Sequence, residues 1–449
     1  MGVDVRPKAR RRVQLIALVF GLLLLIGTII VFLSYANFDD FSAYLQEERP
    51  SLEFPNDHLR VHVVTGMLSS PTSMAFVDDD ILVLERSGKV RLISNGILRD
   101  QPVLTLPVNT EGERGLLGIA TFAQSKVWNY PLNSNGGAAY SYNKQGSNSV
   151  FLYFTEAQDN EPLRNRIYKY EWNGHELVNP VLMLDLPAMP GPYHDGGKLE
   201  VGPDNHLYTV IGDLNSVAGP LQNLRANGKL HYDTSVILRI PLENASGKIV
   251  LPPHNYHNTK NSQYYLAYGI RNSFGLTFDP LTGNLWDTEN GEDKYDEINL
   301  VKPGFNSGWY KVMGPISRSN LTANELVQFD GSIYSDPEFS WHKPIGVTDI
   351  EFFSSDKLGD EYENNIFVGD INNGKMYFFK VNENRTGLQV SGAQDQLMGL
   401  ADLVADSEDE VSKVTFGKGF DRITDIETGP DGLLYVLSYE SGRIYRIIS

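Results

Sequence analysis

One local pattern recurs along this chain of 449 residues: a short apolar run, a turn rich in Asp, Asn and Gly, and a second apolar run. Asp, Asn and Gly tolerate the positive φ angles of tight hairpins, and the flanking runs are rich in strand-forming residues. Four copies stand at 76–83, 202–208, 278–286 and 429–435. Long stretches with the apolar period of a helix are hard to find. The sequence therefore predicts an all-β protein built from repeated antiparallel hairpins.

Hairpins repeated over most of a chain are typical of a β-propeller, in which small sheets surround a central axis. We expect a six-bladed β-propeller over residues 58–449, with seven blades as the alternative count. A pair of β-sandwiches is the other architecture that alternating strands allow. The chain has no cysteine, which excludes disulfides, thiol nucleophiles, Cys-ligated zinc and iron–sulfur clusters. Packing between neighbouring sheets must therefore stabilise the fold without covalent cross-links.

The first 57 residues differ in composition from the rest. Residues 1–12 carry five basic residues and one acidic residue, and the 22 residues of 13–34 carry no charge. About 20 apolar residues span the hydrocarbon core of a bilayer, and positive charge tends to stay on the cytoplasmic side. We therefore predict a cytoplasmic basic tail at 1–12, one transmembrane helix at 13–34 and a stalk at 35–57. A cleaved signal peptide is the alternative.

This topology predicts a single-pass protein of the cell membrane whose propeller is extracellular or periplasmic. Three sequons fit an exported face, at Asn244, Asn320 and Asn384. The chain has 38 basic and 56 acidic residues, a formal net charge of −18. Such an acidic protein is a poor match for phosphate backbones, so nucleic acid is excluded as a general partner. The common signatures of zinc proteases, serine hydrolases, P-loop NTPases and Rossmann dehydrogenases are also missing.

Three stretches carry residues that are unusual for a purely structural role. His194 precedes two glycines and a strand, and Asp213 ends the next strand; an aspartate can orient a histidine and stabilise its charged form. Arg271 and Asn272 offer a fixed cation and an amide to an anionic or carbonyl-bearing ligand. Residues 287–297 are dense in carboxylates, which calcium prefers. From the residues alone, a loop histidine, a turn aspartate, an ordinary ion pair and a solvated acidic loop remain the alternatives.

These stretches, in this order, resemble the PQQ-dependent glucose/sorbosone dehydrogenase family, of the soluble quinoprotein aldose sugar dehydrogenase type. The resemblance covers nearly all of the predicted propeller and implies six blades and a sugar-oxidising activity. No single landmark is specific, but the landmarks stand in register along the chain. They are 111–120, His194-x-Gly-Gly-Lys198, Gly212-Asp213, Gly269-x-Arg-Asn-x-x-Gly275, 296–300, Asn306-x-Gly-Trp309 and 422–432.

The resemblance implies a role for each matching residue. His194 matches the general base that takes the hydroxyl proton while a hydride passes to the quinone, and Asp213 matches the carboxylate that supports it. Arg271 matches the cation beside the quinone oxygens, where it would stabilise charge on the reduced cofactor. Contacts to PQQ fall on Glu113, Asn272, Asn372 and Arg422. Calcium contacts fall on the backbone carbonyls of Gly291 and Glu292 and, for a second, structural calcium, on Glu297.

The sequence also departs from the family's pattern. PQQ carries three carboxylates, and Asn372 and Thr424 stand where members of the family can carry a Lys and a second Arg. Each lost charge-assisted bond would weaken cofactor binding by about 1–3 kcal/mol. Lys343 and Lys375 are the nearby candidates to replace these cations. Asp195 stands where Asn is common and adds a negative charge beside the base.

Three functions follow from the sequence. The first is a membrane-anchored, outward-facing quinoprotein dehydrogenase that oxidises an aldose or similar sugar and passes electrons to an unidentified acceptor. The second is a non-catalytic surface propeller that binds sugar or protein, which the reduced set of cations favours. The third is a calcium-dependent propeller lactonase or other hydrolase, because such enzymes also have a carboxylate-rich central site.

Overall fold

Antiparallel strands make up almost all the regular structure of the chain. The structure is a computed structural model, and it describes residues 52–54, 56, 58–123, 148–157, 162–216, 221–223, 233–242, 261–389 and 400–449. The stretch Leu52–Ser449 forms one compact unit. The tail and transmembrane helix predicted at 1–12 and 13–34 lie outside the described residues, as do most of the predicted stalk and Asn244. Among the described residues, no helix has the length and apolar character needed to cross a bilayer.

The first fourteen strands are β1 (Arg60–Thr65), β2 (Pro71–Val77), β3 (Asp80–Glu85), β4 (Lys89–Ser94), β5 (Ile97–Leu98), β6 (Leu104–Thr105), β7 (Leu116–Ala123), β8 (Asn148–Glu156), β9 (Arg164–Trp172), β10 (Leu177–Pro187), β11 (Leu199–Val201), β12 (His206–Ile211), β13 (Val236–Pro241) and β14 (Tyr265–Tyr268). The later strands are β15 (Ser273–Phe278), β16 (Leu285–Glu289), β17 (Asp296–Val301), β18 (Phe305–Asn306), β19 (Ile333–Tyr334), β20 (Phe339–Trp341), β21 (Val347–Phe353), β22 (Asn365–Asp370), β23 (Lys375–Phe379), β24 (Val404–Ala405), β25 (Thr415–Lys418), β26 (Ile423–Thr428), β27 (Leu434–Ser438) and β28 (Arg443–Ile448). Helix α1 spans Glu408–Val414, and 3₁₀ turns lie at Ser262–Tyr264, Ile316–Arg318 and Ala323–Glu325.

Within the described ranges these strands form six sheets. Their strand orders are β2-β3-β4-β5 with β6 also on β4, β7-β8-β9-β10, β11-β12-β13-β14-β18-β19, β15-β16-β17-β20-β24, β21-β22-β23-β25 and β1-β28-β27-β26. Neighbouring strands are antiparallel except for the parallel pairs β14–β18, β18–β19 and β20–β24.

The sheets are arranged in a closed cycle. One edge strand of each sheet, which we call its inner strand, contacts the inner strands of the neighbouring sheets in the order β2, β7, β11, β15, β21 and β26, and β26 contacts β2 again. Small sheets that follow one another around an axis define a β-propeller. The predicted all-β propeller is therefore confirmed, and the pair of sandwiches is excluded.

The four hairpins read from the sequence occupy one equivalent place in this ring. The turns at 76–83, 202–208, 278–286 and 429–435 each join the inner strand of a sheet to the strand that pairs with it. In the turn before β12, Asn205 has a φ of 59°, a left-handed conformation that Asn tolerates better than most residues. The repeat seen in the sequence is therefore the innermost hairpin of a blade.

The N-terminal strand closes the ring. β1 pairs antiparallel with β28, the last strand of the chain, from Arg60 opposite Ile448 to Thr65 opposite Ile444. Just before β1, residues of the predicted stalk already lie on the propeller. Leu52 and Phe54 pack against the hydrophobic core beside β28, and Glu53 forms a β-bridge with Lys418. The sheet that closes the ring thus contains both ends of the described chain.

Six hydrophobic clusters fill the contacts between neighbouring sheets, and each takes its side chains from two of them. The cluster between the β15–β17 and β21–β23 sheets is rich in aromatic side chains. There the rings of Phe339 and Trp341 are 4.9 Å apart, and Trp341 is 5.2 Å from Tyr377. Burial of this kind contributes about 25 cal/mol per Å² of apolar surface, which explains how the fold is stable without a disulfide.

A buried cluster of charged groups connects three of the sheets. Lys198, the last residue of the His194-x-Gly-Gly-Lys motif, is buried with its Nζ 2.8 Å from Asp349 and 2.7 Å from Asp425. Burial alone would lower the pKa of Lys198, but the two carboxylates hold it well above its usual value. This ion cluster ties β11 to β21 and β26 across the ring.

Candidate functional site

His194 and Asp213 form a hydrogen-bonded pair at one end of two neighbouring strands. His194 lies in the loop before β11 and Asp213 follows β12, and these antiparallel strands bring the two positions together. The Nδ1 atom of His194 is 2.5 Å from Oδ1 of Asp213, and the residues are 8% and 2% exposed. Since an ionised carboxylate can only accept, Nδ1 carries the proton, and Nε2 is left as the basic nitrogen of the ring.

The backbone of His194 is held in an uncommon conformation. Its φ angle is 64°, in the left-handed region that non-glycine residues rarely adopt. The amide of His194 donates to Oε2 of Glu113 at 2.7 Å, and a Cβ at Gly212 would lie only 2.7 Å from the carbonyl oxygen of His194. A glycine at 212 is therefore needed for this close approach, and Glu113 fixes the main chain that carries the imidazole.

Trp309 completes the surroundings of Asp213. Its Nε1 donates to Oδ2 of Asp213 at 2.8 Å, and the amide of Asn215 donates to Oδ1 at 2.8 Å. The carboxylate is thus bonded on both oxygens and keeps one orientation toward His194. From the sequence, Trp309 is only part of a motif of the family and has no assigned role in the site. Its contact with Asp213 joins residues about 100 positions apart in the chain.

Arg271 approaches the same tryptophan from the next sheet. Its guanidinium carbon lies 5.3 Å from the centroid of the Trp309 ring, a cation–π contact. The Nη1 atom donates to the carbonyl of Asn290 at 2.9 Å, and the backbone amide donates to Oε1 of Glu289 at 2.6 Å. Glu289 also accepts from Ser307 at its other oxygen. The Arg271 side chain is therefore held by the Trp309 ring and by the carbonyl of Asn290, and its backbone is held by Glu289.

Asn272 connects Arg271 to the loop that holds His194. Its Nδ2 is 3.3 Å from Oε2 of Glu113, the oxygen that also accepts from the amide of His194. The structure thus brings together five of the residues selected from the sequence: Glu113, His194, Asp213, Arg271 and Asn272. They come from three consecutive sheets, so the site lies where the β7, β11 and β15 sheets meet.

Two buried polar atoms of this group have no protein partner among the described residues: Nε of Arg271 and Oδ1 of Asn272. Buried polar groups are nearly always hydrogen-bonded. One atom is a donor and the other an acceptor, so together they fit a ligand that presents both kinds of polar group. A flat molecule with anionic or carbonyl oxygens and a ring N–H satisfies this requirement.

Asn372 and Arg422 have no contact with this group within the described part of the chain. The Arg422 side chain is 55% exposed and pairs with Glu440 at 3.2 Å. Asn372 is exposed and lies beside Gly346. Of the two lysines considered as replacements, Lys375 pairs with Glu408 at 3.5 Å, and Lys343 is exposed. Roles of these residues in cofactor binding remain predictions from the resemblance.

The three predicted calcium contacts lie at different depths in the acidic stretch. The amide of Gly291 donates to Asp296 at 3.0 Å, Glu292 is exposed and Glu297 is buried. An oxygen of Glu297 accepts from the amide of Gly314. Among the described residues, no three or more His, Asp and Glu side chains are arranged as a metal site. The backbone contacts of Gly291 and Glu292 and the calcium role of Glu297 therefore stay predictions from the resemblance.

Three buried carboxylates nevertheless share one face of β16 and β17. Glu289 in β16 pairs with Glu297 in β17, and Asp287, two residues before Glu289, pairs with Asn299. Both oxygens of Asp287 and Oδ1 of Asn299 have no protein partner among the described residues. Burial raises the pKa of Glu289 to about 7, and burial together with Glu289 raises the pKa values of Asp287 and Glu297 well above their usual range. Oxygen atoms without donors in an acidic pocket are the chemistry of a hard-cation site.

Asp195, next to His194, points away from the pair and into the protein. It is fully buried, and its Oδ1 accepts from Asn165 at 2.9 Å, while Nε of Arg114 lies 3.8 Å away. The hydroxyl of Tyr153 donates to the carbonyl of Asp195 at 2.7 Å. Burial raises the pKa of Asp195 to about 6. Asp195 therefore supports the loop of His194 from behind.

Comparison with known proteins agrees with these features. The family model described as glucose/sorbosone dehydrogenase matches residues 68–446. Aldose sugar dehydrogenase YliI of Escherichia coli is 25% identical over 410 residues, which cover 87% of this chain and 92% of that protein. The crystal structure of the soluble aldose sugar dehydrogenase of Escherichia coli in the apo-form is similar with a TM-score of 0.61 at 22% identity, covering 87% and 99% of the two chains. The PQQ-bound aldose sugar dehydrogenase of Streptomyces coelicolor is similar with a TM-score of 0.58 at 21% identity, covering 88% and 99%.

A propeller that holds a buried histidine–aspartate pair beside a fixed arginine has the groups of an acid–base enzyme. With the family model matched over most of its length, the chain belongs to the glucose/sorbosone dehydrogenase family. It is an oxidoreductase that acts on sugars. The non-catalytic propeller and the hydrolase considered from the sequence do not agree with this assignment.

Proposed function

We propose that the protein is a PQQ-dependent dehydrogenase that oxidises an aldose or similar sugar hydroxyl, and that its six sheets are six blades. The observation that carries the proposal is the joining of the His194–Asp213 pair to Arg271 through Trp309. A base and a fixed cation that are connected through Asp213 and Trp309 suit the removal of a proton from a hydroxyl next to an acceptor of negative charge.

Each residue has a definable part in this reaction. His194 Nε2 takes the proton of the sugar hydroxyl, because Nδ1 is already bonded to Asp213. Asp213 stabilises the imidazolium that results and keeps the ring in one orientation. Arg271 supplies a positive charge where negative charge develops, in a site shielded from water. PQQ, when bound, supplies the two-electron acceptor.

The buried atoms without partners support PQQ as the ligand. PQQ carries carboxylates, quinone carbonyls and a ring N–H, so it offers an acceptor to Nε of Arg271 and a donor to Oδ1 of Asn272. Glu113 places a carboxylate beside this site, and the donors from His194 and Asn272 to its Oε2 atom partly offset its charge. The PQQ-bound relative from Streptomyces coelicolor supports the use of this cofactor in the fold.

We also propose calcium as the ion of the β16–β17 face. Asp287, Glu289 and Glu297 place three carboxylates in a buried space, and two oxygens of Asp287 lack donors among the described residues. A divalent ion would offset their mutual repulsion. Gly291 and Glu292 remain the backbone contacts that the resemblance implies for calcium beside the cofactor.

The uncharged run at 13–34 supports a membrane anchor for the propeller, with the basic tail at 1–12 in the cytoplasm and residues 58–449 facing outward. An anchored dehydrogenase can deliver electrons to a membrane carrier without release from the surface. Proteolysis of intact cells tests this orientation, since an outward-facing propeller is digested while the cytoplasmic tail is protected.

Titration of the detergent-solubilised, calcium-loaded full chain with PQQ in a calorimeter is the direct test. We expect saturable binding with a Kd of micromolar order or below, and reduction of an artificial dye with at least one sugar from an aldose panel. The His194→Ala variant should bind PQQ with unchanged affinity and reduce the dye at least a hundredfold more slowly. Absence of both PQQ binding and dye reduction in the wild type would overturn the proposal.

A further inference from the structure

Two tyrosines adjoin the His194–Asp213 pair through their chain neighbours and are exposed, whereas the pair itself is buried. Tyr193 is 47% exposed and Tyr310 is 40% exposed, beside His194 at 8% and Trp309 at 4%. Each tyrosine is the chain neighbour of a buried residue of the site. We call Tyr193 and Tyr310 the aromatic rim.

The main chain beneath the aromatic rim is firmly held. On one side, Glu113 accepts from the amide of His194 at 2.7 Å, and its own amide donates to the carbonyl of Pro192 at 3.0 Å. These two bonds fix the segment that carries Tyr193 from both directions. The position of Tyr193 therefore follows from the same contacts that position the base.

On the other side, Tyr310 is fixed through Trp309. Their rings lie 4.8 Å apart in an edge-to-face contact, and Trp309 Nε1 is bonded to Asp213. The main-chain carbonyl of Trp309 accepts from the amide of Asn223 at 2.6 Å. Tyr310 thus lies one aromatic ring away from the carboxylate of the catalytic pair.

Packing does not account for the exposure of these rings. Neither the Tyr193 nor the Tyr310 hydroxyl has a hydrogen-bond partner among the described residues, whereas Tyr153, Tyr208, Tyr268 and Tyr377 all direct theirs to protein atoms. Large exposed aromatic side chains next to a buried polar site are characteristic of ligand recognition. Rings with free hydroxyls fit a molecule that has both a C–H face and outward hydroxyl groups.

A pyranose ring has this chemistry. Its axial C–H bonds form an apolar face that packs on an aromatic ring, and its equatorial hydroxyls reach polar groups at the ring's edge. An acyclic polyol has the same hydroxyls but no fixed C–H face, and it loses more rotational freedom on binding. The aromatic rim can therefore distinguish the two.

We propose that Tyr193 and Tyr310 hold the substrate over His194 and select a pyranose over an acyclic polyol. The inference rests on the proposed dehydrogenase function and names the residues that determine its specificity. The tyrosines bind and orient the sugar, while the proton transfer remains with His194.

The test measures steady-state kinetics of the full chain, loaded with PQQ and calcium, on glucose and on sorbitol. Tyr193→Ala and Tyr310→Ala should each raise KM for glucose about three- to tenfold, with kcat changed less than about threefold and KM for sorbitol nearly unchanged. The phenylalanine variants should keep most of the affinity for glucose, because they retain the ring. Ile97→Ala, an exposed apolar residue on the distant strand β5, should leave both sugars unaffected.

A second readout does not depend on turnover. Saturation-transfer NMR on the PQQ-free, calcium-loaded protein should show glucose binding in the wild type and a loss of signal in the double alanine variant.

If the wild type oxidises glucose but the alanine variants keep KM within twofold, or if KM for sorbitol rises equally, the aromatic rim does not select the substrate. If glucose binding depends on the tyrosines but no sugar is oxidised, the proposed dehydrogenase function fails, while the role of the aromatic rim in sugar binding is supported. If the wild type neither binds nor oxidises sugar, both fail.

Discussion

Asp213 joins three functional side chains of the site. One of its oxygens accepts from the imidazole of His194, and the other accepts from the indole of Trp309. The guanidinium of Arg271 lies over the Trp309 ring in a cation–π contact. The single carboxylate therefore fixes the tautomer of the base and the position of the surface on which the cation rests.

Replacement of Asp213 should separate orientation from binding. We expect Asp213→Asn to lower kcat by about a hundredfold or more, because an amide can donate to Nδ1 and stabilise the wrong tautomer. Trp309→Phe, which keeps the ring but removes the N–H, should lower kcat less than about tenfold. Calorimetry should give an unchanged Kd for PQQ in both variants. A kcat within threefold of the wild type for Asp213→Asn would contradict the role of the pair.

Asp195 provides a prediction on stability and pH. Burial raises its pKa to about 6 from an ordinary value of about 4. Between these values the folded protein binds the proton and the unfolded chain releases it, so the contribution of Asp195 to stability falls as the pH rises through this window. Asp195→Asn removes the titration. The free energy of unfolding of the variant minus that of the wild type should therefore increase by about 1–2 kcal/mol from pH 4.5 to pH 7.5.

Urea unfolding of both proteins at the two pH values gives the comparison directly. The difference between variant and wild type is the quantity to follow, because the other titrating groups are common to both. A difference that is the same at pH 4.5 and at pH 7.5 would show that Asp195 does not titrate in this range.

Single residues of the site differ in how well the sequence predicts them. His194, Asp213 and the Arg271–Asn272 pair stand beside glycines or at strand ends, where a functional side chain leaves a recognisable local pattern. The contact of Trp309 with Asp213 has no local signature, since it joins residues almost one hundred positions apart. Arg422 matches the family's pattern locally, but its side chain pairs with Glu440 in the turn between β27 and β28, and the residues around Arg422 do not reveal this contact.

At the scale of elements, β16 and β17 share a face that carries three buried carboxylates. In-register antiparallel pairing puts Glu289 opposite Glu297 and Asp287 opposite Asn299. Like charges in cross-strand positions destabilise a sheet, and burial adds to that cost. The two strands therefore depend on protons or on a cation for their stability.

Calcium should stabilise the protein in a pH-dependent way. Because the pKa of Glu289 is about 7, its carboxylate is largely protonated at pH 6 and ionised at pH 8, and only the ionised form binds a metal. We expect calcium to raise the thermal midpoint clearly at pH 8 and much less at pH 6. Differential scanning calorimetry with calcium or with a chelator measures both.

Asp287→Asn offers a matched variant for the same experiment. It removes one buried charge, so the calcium-free midpoint should rise while the calcium-dependent increase shrinks. Glu292→Gln keeps the backbone carbonyl and changes only an exposed side chain, so it should behave as the wild type. No effect of calcium at pH 8 in any of the three proteins would contradict a cation on this face.

Elements also show where prediction from the sequence ends. The four hairpins were recognisable because short turns of Asp, Asn and Gly connect the inner strand of each of those sheets to the strand that pairs with it. The β21–β22 connection at 354–364 is longer, and residues 124–147 separate β7 from β8, so neither sheet shows the pattern. The parallel pairings of β18, β19 and β24 join distant segments of the chain, and no local propensity specifies them.

At the largest scale, the compact unit Leu52–Ser449 is a ring whose stability depends on closure. Each hydrophobic cluster lies between two neighbouring sheets, so every sheet needs both neighbours to bury its two faces. Closure is made by β1, which is the outer strand of the sheet that otherwise comes from the C-terminal end of the chain. The first and last strands of the described chain are thereby locked together by main-chain hydrogen bonds.

Two N-terminal deletions test this closure. Deletion of residues 1–51 leaves the compact unit Leu52–Ser449 intact, and we expect its thermal midpoint to match that of the full chain within a few degrees. Deletion of residues 1–66 also removes β1, exposes the backbone edge of β28 and takes Leu59 from the core. An open, partly apolar strand edge pairs with other chains. The longer deletion should therefore lower the midpoint by about 10 °C or more, or abolish cooperative unfolding, and should form oligomers in size-exclusion chromatography. Equal midpoints and a monomer for both proteins would show that β28 does not need its partner, and that the ring is closed by side-chain packing between sheets instead of by the β1–β28 ladder.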